Sequence, residues 1–213
     1  MTRYVALLLL SLALPFAAVA PANAQVKGAL VEGVHYETLR EPGPFGPPLA
    51  KGQHEIAEVF AYTCHHCANL APRLEAWKAK LPKSIRVRYL PVAYDLKDPL
   101  SRAFFASEAV NKVAVTHLAT FRALHDEHTL PRNPTDDELA TFYATLGVDR
   151  KAFTAAMQGP KVAERMQAAR AFSLRVGLEG TPTIVVDGRW KVLGGSLDAL
   201  LDNTAALLAS PPR

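Results

Sequence analysis

Cys64 and Cys67 are the only two cysteines in 213 residues, and they sit in EVFAYTCHHCANLAPRLEAW, residues 58–77. This placement constrains the fold more than any other feature. On the N-terminal side, Ile56 to Tyr62 is apolar except for Glu58 and reads as a buried strand. On the C-terminal side, Leu70, Leu74, Trp77 and Leu81 recur at helical spacing. Pro72 falls inside that pattern and cannot donate to the carbonyl of Ala68, so a kink is expected there. IRVRYLPVAY then alternates Ile85, Val87 and Tyr89 with arginines, as a second strand does. Strand, helix and strand in this order make a βαβ unit, whose parallel pair needs a right-handed crossover. The cysteines lie at its first turn.

The rest of the chain divides around a helical block. Residues 25–53 form an N-terminal approach with the proline-rich loop EPGPFGPP. Asp98 can cap a helix that has Pro99 at its first position. A further helix is expected over Val115 to Asp126. Thr135 to Glu138 is a capping box for a helix that stops near Gly147. Asp149 caps a short helix running toward Gly159, and Pro160 opens another that ends near Gly177. TPTIVVDGRWKVLGG then carries two β-rich runs around Asp187-Gly188, a hairpin signal. Ser196 can cap a last helix with Leu197, Leu200, Leu201, Leu207 and Leu208. The early βαβ and the late ββα are expected to share one sheet, giving an α/β fold divided into 25–96, an inserted helical domain at 97–176, and 177–213.

Residues 1–24 read as an export signal: Arg3, an apolar run from Val5 to Val19, then Ala22-Asn23-Ala24 with cleavage after Ala24. The run is short for a membrane span, and Pro15 interrupts it. Removing it leaves a chain of single-domain size. Lys and Arg number 24 against 20 Asp and Glu, a balance too mild to specify a partner. No basic run with interleaved aromatics points to nucleic acid.

Three chemistries compete for the cysteines. As a staple, a bridge across two residues closes a tiny loop and removes little entropy from the unfolded chain. As a metal site, Cys64, His65, His66 and Cys67 are four neighbours at a helix start and cannot surround one tetrahedral ion. No second C-x-x-C exists, and His125 and His128 read as solvated helix-end residues. As a redox pair, Cys64 falls where unpaired N–H groups and the positive end of the helix dipole favour thiolate. Cys67 lies one turn on, on the same face. A C-x-x-C beside a βαβ pattern is a redox signal. Glu58, flanked by apolar residues, is expected to be buried, hydrogen-bonded and raised in pKa. Tyr62 and Trp190 read as core or groove lining.

EVFAYTCHHC, Pro72, the helical insertion and GTPTIVVDG, in this order, resemble the DsbA-type thiol:disulfide oxidoreductases of the thioredoxin superfamily. The resemblance covers essentially the whole mature chain. It implies a thioredoxin-like fold, with Cys64 as exposed nucleophile and Cys67 as the resolving thiol. It implies a cis Pro182, with the Thr181 backbone pairing with substrate, and a buried acid at Glu58. His66 matches the position that stabilises the thiolate. His65 stands where the family usually has proline, and this dipeptide is a lever on redox poise.

The resemblance further implies a periplasmic monomer that donates its disulfide to unfolded secreted polypeptides. A DsbB-like quinone-linked membrane protein would reoxidise it, with no organic cofactor and no metal. Two rivals remain. A disulfide isomerase or reductase of the well-known periplasmic kind carries a dimerisation domain before the catalytic one, and about thirty residues before the first strand are too few for that. A chaperone or peptide-binding module with incidental cysteines would keep its activity without Cys64.

Overall fold

The structure is a computed structural model and describes residues 29–212. The expected export signal and its cleavage site lie outside the described residues. Five strands form one mixed sheet in the order β1-β5-β4-β2-β3. In chain order, β1 is Tyr36–Thr38, β2 is His54–Phe60, and α1 is His65–Lys78, followed by β3 at Ile85–Pro91. Five helices follow: α2 (Pro99–Ala109), α3 (Val113–His125), α4 (Asp136–Thr145), α5 (Arg150–Met157) and α6 (Pro160–Arg175). The chain returns to the sheet as β4 (Thr183–Val186) and β5 (Trp190–Val192), then ends in α7 (Leu197–Ala209). β2 and β3 pair in parallel, while β4 runs antiparallel to β2. Among the described residues, no helix is long and apolar enough to cross a membrane.

The strand before the cysteines begins and ends two residues earlier than the expected Ile56–Tyr62, because His54 already pairs with Ile85. Tyr62 leaves the sheet but stays buried. β1 lies inside the segment read as an N-terminal approach. At three residues its pattern is too short to register, and it forms because β5 offers an open edge. The helix caps fall where the sequence places them. Asp98, Thr135, Asp149 and Ser196 each accept a backbone N–H at a helix start. The hairpin turns at Asp187 and Gly188, with φ of 52° and 61°. Both values are left-handed, as a tight primed turn requires. At Gly188 a Cβ would also collide with the carbonyl of Gly43.

The sheet buries both faces, so strand alternation decides what each side chain meets. Ile56, Phe60, Tyr89, Ile184 and Val186 join one core with Leu70 and Leu74 of α1, Leu200 and Leu207 of α7, and the helical block. Ala57, Val59, Leu90 and Val185 face the other way, under Phe172 of α6. Glu58 therefore lies on the α1 face of β2, and Glu55 on the α6 face.

Candidate active site

Cys64 is the N-cap of α1, with extended backbone (φ −85°, ψ 118°) and no capping hydrogen bond from its side chain. Its Sγ is left free at the point where the first-turn N–H groups converge. Cys64 is half-buried and Cys67, one turn on, is fully buried; both stand as free thiols. His65 and His66 lie between them, both exposed, with rings edge to face at 4.7 Å.

Across from the cysteines, the Thr181–Pro182 peptide is cis. The Cys64 thiol donates to the Thr181 carbonyl oxygen at 3.2 Å. Sheet pairing sets this meeting, since β4 begins directly after Pro182 and Val59 of β2 pairs with Thr183. The site thus brings together the stretch Cys64, His65, His66 and Cys67 with Thr181 and Pro182, two segments 117 positions apart that meet at one end of the sheet.

The two thiols are pushed in opposite directions. Burial opposes ionisation of Cys64, but hydrogen bonding with the Thr181, Cys67 and His66 groups around the sulfur outweighs it and lowers the thiol below its ordinary value. The bond to the Thr181 carbonyl serves only the protonated thiol, so the lowering belongs to the donors that reach the sulfur once it is charged. Burial pushes Cys67 well up, and the nearby charge of Glu58 adds to this. One sulfur ionises more readily than an ordinary thiol and the other less readily.

Glu58 is completely buried. Burial first, then the charges of Glu75 and Cys64, raise its carboxyl to about 8. Neither carboxyl oxygen makes a direct hydrogen bond to a protein group.

Sequence reading missed the helical block's hold on the segment before Cys64. His125 is no solvated helix end: its Nε2 pairs with the Tyr62 carbonyl at 2.7 Å. Arg132 donates to the Thr63 carbonyl at 2.7 Å. Buried His117 pairs with the Tyr62 hydroxyl at 3.1 Å, and burial, helped by the Lys78 cation, lowers its imidazole to about 3, so it is neutral. These contacts bridge more than fifty residues, and no local pattern carries them. Among the described residues, no three His, Cys, Asp or Glu side chains group as metal ligands would.

A thioredoxin family model matches residues 48–196, which includes every residue of this site. The chain is 32% identical to the thiol:disulfide interchange protein DsbA of Burkholderia cepacia, over 98% of this chain and 94% of that protein. It is 30% identical to DsbA of Pseudomonas aeruginosa, over 77% of this chain and 76% of that protein. The crystal structure of the oxidoreductase DsbA from Xylella fastidiosa superposes with a TM-score of 0.80 at 40% identity, covering 84% of this chain and 96% of that one. Fold, order of elements and sequence agree, and the chain belongs to the DsbA family of thiol:disulfide oxidoreductases within the thioredoxin-like fold.

Proposed function

We propose that the protein is a dithiol oxidase that forms disulfide bonds in newly exported, unfolded polypeptides of the periplasm. The observation that carries this is the asymmetry of the pair: a half-exposed Cys64 with a lowered pKa beside a buried Cys67 with a raised one. A substrate thiolate attacks Cys64 Sγ of the closed disulfide. The Cys64–Cys67 bond breaks as the mixed disulfide forms, and Cys67 leaves as a thiolate. Glu58 protonates Cys67, since it is buried nearby and holds its proton to about pH 8. A second substrate thiolate attacks the substrate sulfur of the mixed disulfide. The substrate leaves oxidised, and Cys64 leaves as the stabilised thiolate. A low-pKa thiol is a good leaving group, which drives this last step.

In this reading the Thr181 backbone, facing Cys64, pairs with an extended substrate. His66 supports the thiolate through its N–H, and His65, in place of proline, tunes the poise. The stretch 97–176 acts as an inserted domain that holds the Tyr62–Thr63 segment in place. The two sulfurs carry both electrons, so neither an organic cofactor nor a metal is required. Reoxidation falls to a quinone-linked membrane protein of the DsbB kind, acting on a monomer.

The test uses oxidised protein mixed with a reduced, unfolded substrate. The wild type should transfer its disulfide stoichiometrically. Cys64→Ser should abolish transfer, and reduced Cys67→Ser mixed with a disulfide-bonded substrate should accumulate mixed disulfides, because Cys64 attacks the substrate disulfide and no Cys67 thiol is left to release it. Retained activity in Cys64→Ser would replace this reading with a peptide-binding module.

A further inference from the structure

On the α1 face of the sheet, a groove of about 480 Å³ opens between α1, β3 and α3, with Glu75, Lys78, Tyr89 and His117 in its lining. Its polar groups are linked. Tyr89 donates its hydroxyl to Glu75 Oε1 at 2.6 Å, and Lys78 Nζ approaches the same oxygen at 3.2 Å. Lys78 also lies over the Tyr89 ring at 4.8 Å, and the His117 ring stacks on the ring's π-system at 4.6 Å. Tyr89 is the register partner of Glu58 across the parallel β2–β3 pair. The groove therefore reaches from solvent to the residue beside the buried acid; of the two carboxylates in its lining, Glu75 is tied to Tyr89 and Glu108 is held by Arg165.

We propose that Glu75 is a positioning residue for thiol exchange: anchored by Tyr89 and Lys78, its carboxylate sets the pH at which Glu58 releases its proton. This rests on the reading of Glu58 as the proton donor to Cys67. The groups that face Glu58 are few. α1 contributes Cys64, Cys67 and Glu75, with Lys78 behind Glu75; β3 contributes Tyr89; α3 contributes His117, which is neutral; and Tyr62 precedes the cysteines. β4 places Ile184 opposite Glu58, and α7 turns Asp198 to Arg73 at the surface. Arg88, which also borders the groove, is held by Glu55 on the other face, and Glu108 of α2 is held by Arg165. Glu75 is thus the one carboxyl in this set besides Glu58 itself, and like charge favours the protonated form of a neighbouring acid. Lys78 offsets it in part.

After Cys67 takes the Glu58 proton, the new Glu58 carboxylate must recover one from solvent. A Glu75 charge nearby makes that recovery more favourable and keeps Glu58 loaded for the next cycle. Opposite variants should therefore act in opposite directions. Glu75→Gln keeps an acceptor for the Tyr89 hydroxyl and removes the charge. Lys78→Met keeps the charge and removes its counterion.

The readouts are the pH profile of substrate oxidation and the Glu58 carboxyl midpoint by carbon NMR, both on oxidised full-length mature protein. Loss of the Glu58 proton gives the wild-type rate an alkaline limb. Glu75→Gln should move limb and midpoint to lower pH by about half a unit, a threefold change in proton affinity. Lys78→Met should move both to higher pH. Glu58→Leu should remove the limb. If it does, and the Glu75 and Lys78 variants leave limb and midpoint in place, Glu75 has no such role. If the limb survives Glu58→Leu, the proton-donor reading itself is wrong, and this inference falls with it.

Discussion

Strand β2 buries two glutamates three residues apart, and they behave as different chemical groups. Glu55 and Glu58 are both inaccessible to solvent. The strand's alternation sends them to opposite faces of the sheet. Glu55 meets a prepared site. It accepts from the Phe45 N–H at 2.7 Å and the Gly46 N–H at 3.2 Å, and it pairs with Arg88 Nε at 2.7 Å. It ties the proline-rich loop to the sheet. Glu58 meets Cys67, Tyr89 and apolar side chains, and neither of its oxygens makes a direct hydrogen bond to a protein group. A buried charge is tolerated when it is paired; an unpaired one takes up a proton instead. Burial alone therefore does not say what a carboxylate is for. Its partners do.

The largest effect should come from removing the paired acid. Glu55→Ala leaves Arg88 without its counterion and strands two backbone donors. Breaking such a buried pair costs about 3–5 kcal/mol, seen as a fall in melting temperature of about 10 °C. The exchange rate per folded molecule should be unchanged. A variant that melts like the wild type would remove the distinction between the two acids.

Removing the unpaired acid should do the reverse. Glu58 has its folded pKa raised from 4.5 to about 8. Its contribution to stability is fully present below 4.5 and is lost progressively as pH rises through about 8. Glu58→Leu should thus gain about 3 kcal/mol near neutral pH, and the gain should vanish in acid. Exchange should slow at the same time. Denaturant melts at both pH values test this, and a destabilised Glu58→Leu at neutral pH would contradict the unpaired geometry.

The smallest effect concerns the thiols, which repeat the contrast at closer range. The lowered pKa of Cys64 favours the folded reduced protein above the ordinary thiol value of 9.0, and this is lost as pH falls through the folded value. The raised pKa of Cys67 takes stability back above 9.0. Burial, the largest cause of the Glu58 shift, acts in both redox forms, while its coupling to the thiol charges exists only in the reduced one. The reduced form should therefore gain on the oxidised form as pH approaches about 9 and lose ground beyond it. Parallel melts of the two forms across that range measure it, and a flat difference would mean that Cys64 and Cys67 are not distinct.

Much of this was legible in the sequence, because it is local. The Thr135–Glu138 box, the Asp98-Pro99 start and the Asp187-Gly188 turn satisfy backbone groups within a few residues, so their chemistry is written in short patterns. The C-x-x-C at a strand-to-helix junction is local too, and so is the burial of Glu58 implied by its apolar flanks. Pairing is not local. Glu58 has no direct protein partner because of what β3, β4 and α1 bring to it, and Glu55 has three because a loop ten residues upstream and a strand thirty-three residues downstream converge on it. β1 exists because β5 has a free edge, and His125 holds the Tyr62 carbonyl across sixty-three positions. The sequence by itself determined the elements other than β1, their order and the reactive pair, since propensity, capping and spacing act over a few residues. The tertiary structure alone decided which acid is paired and where Glu75 lies relative to Glu58, since electrostatics depends on distance in space.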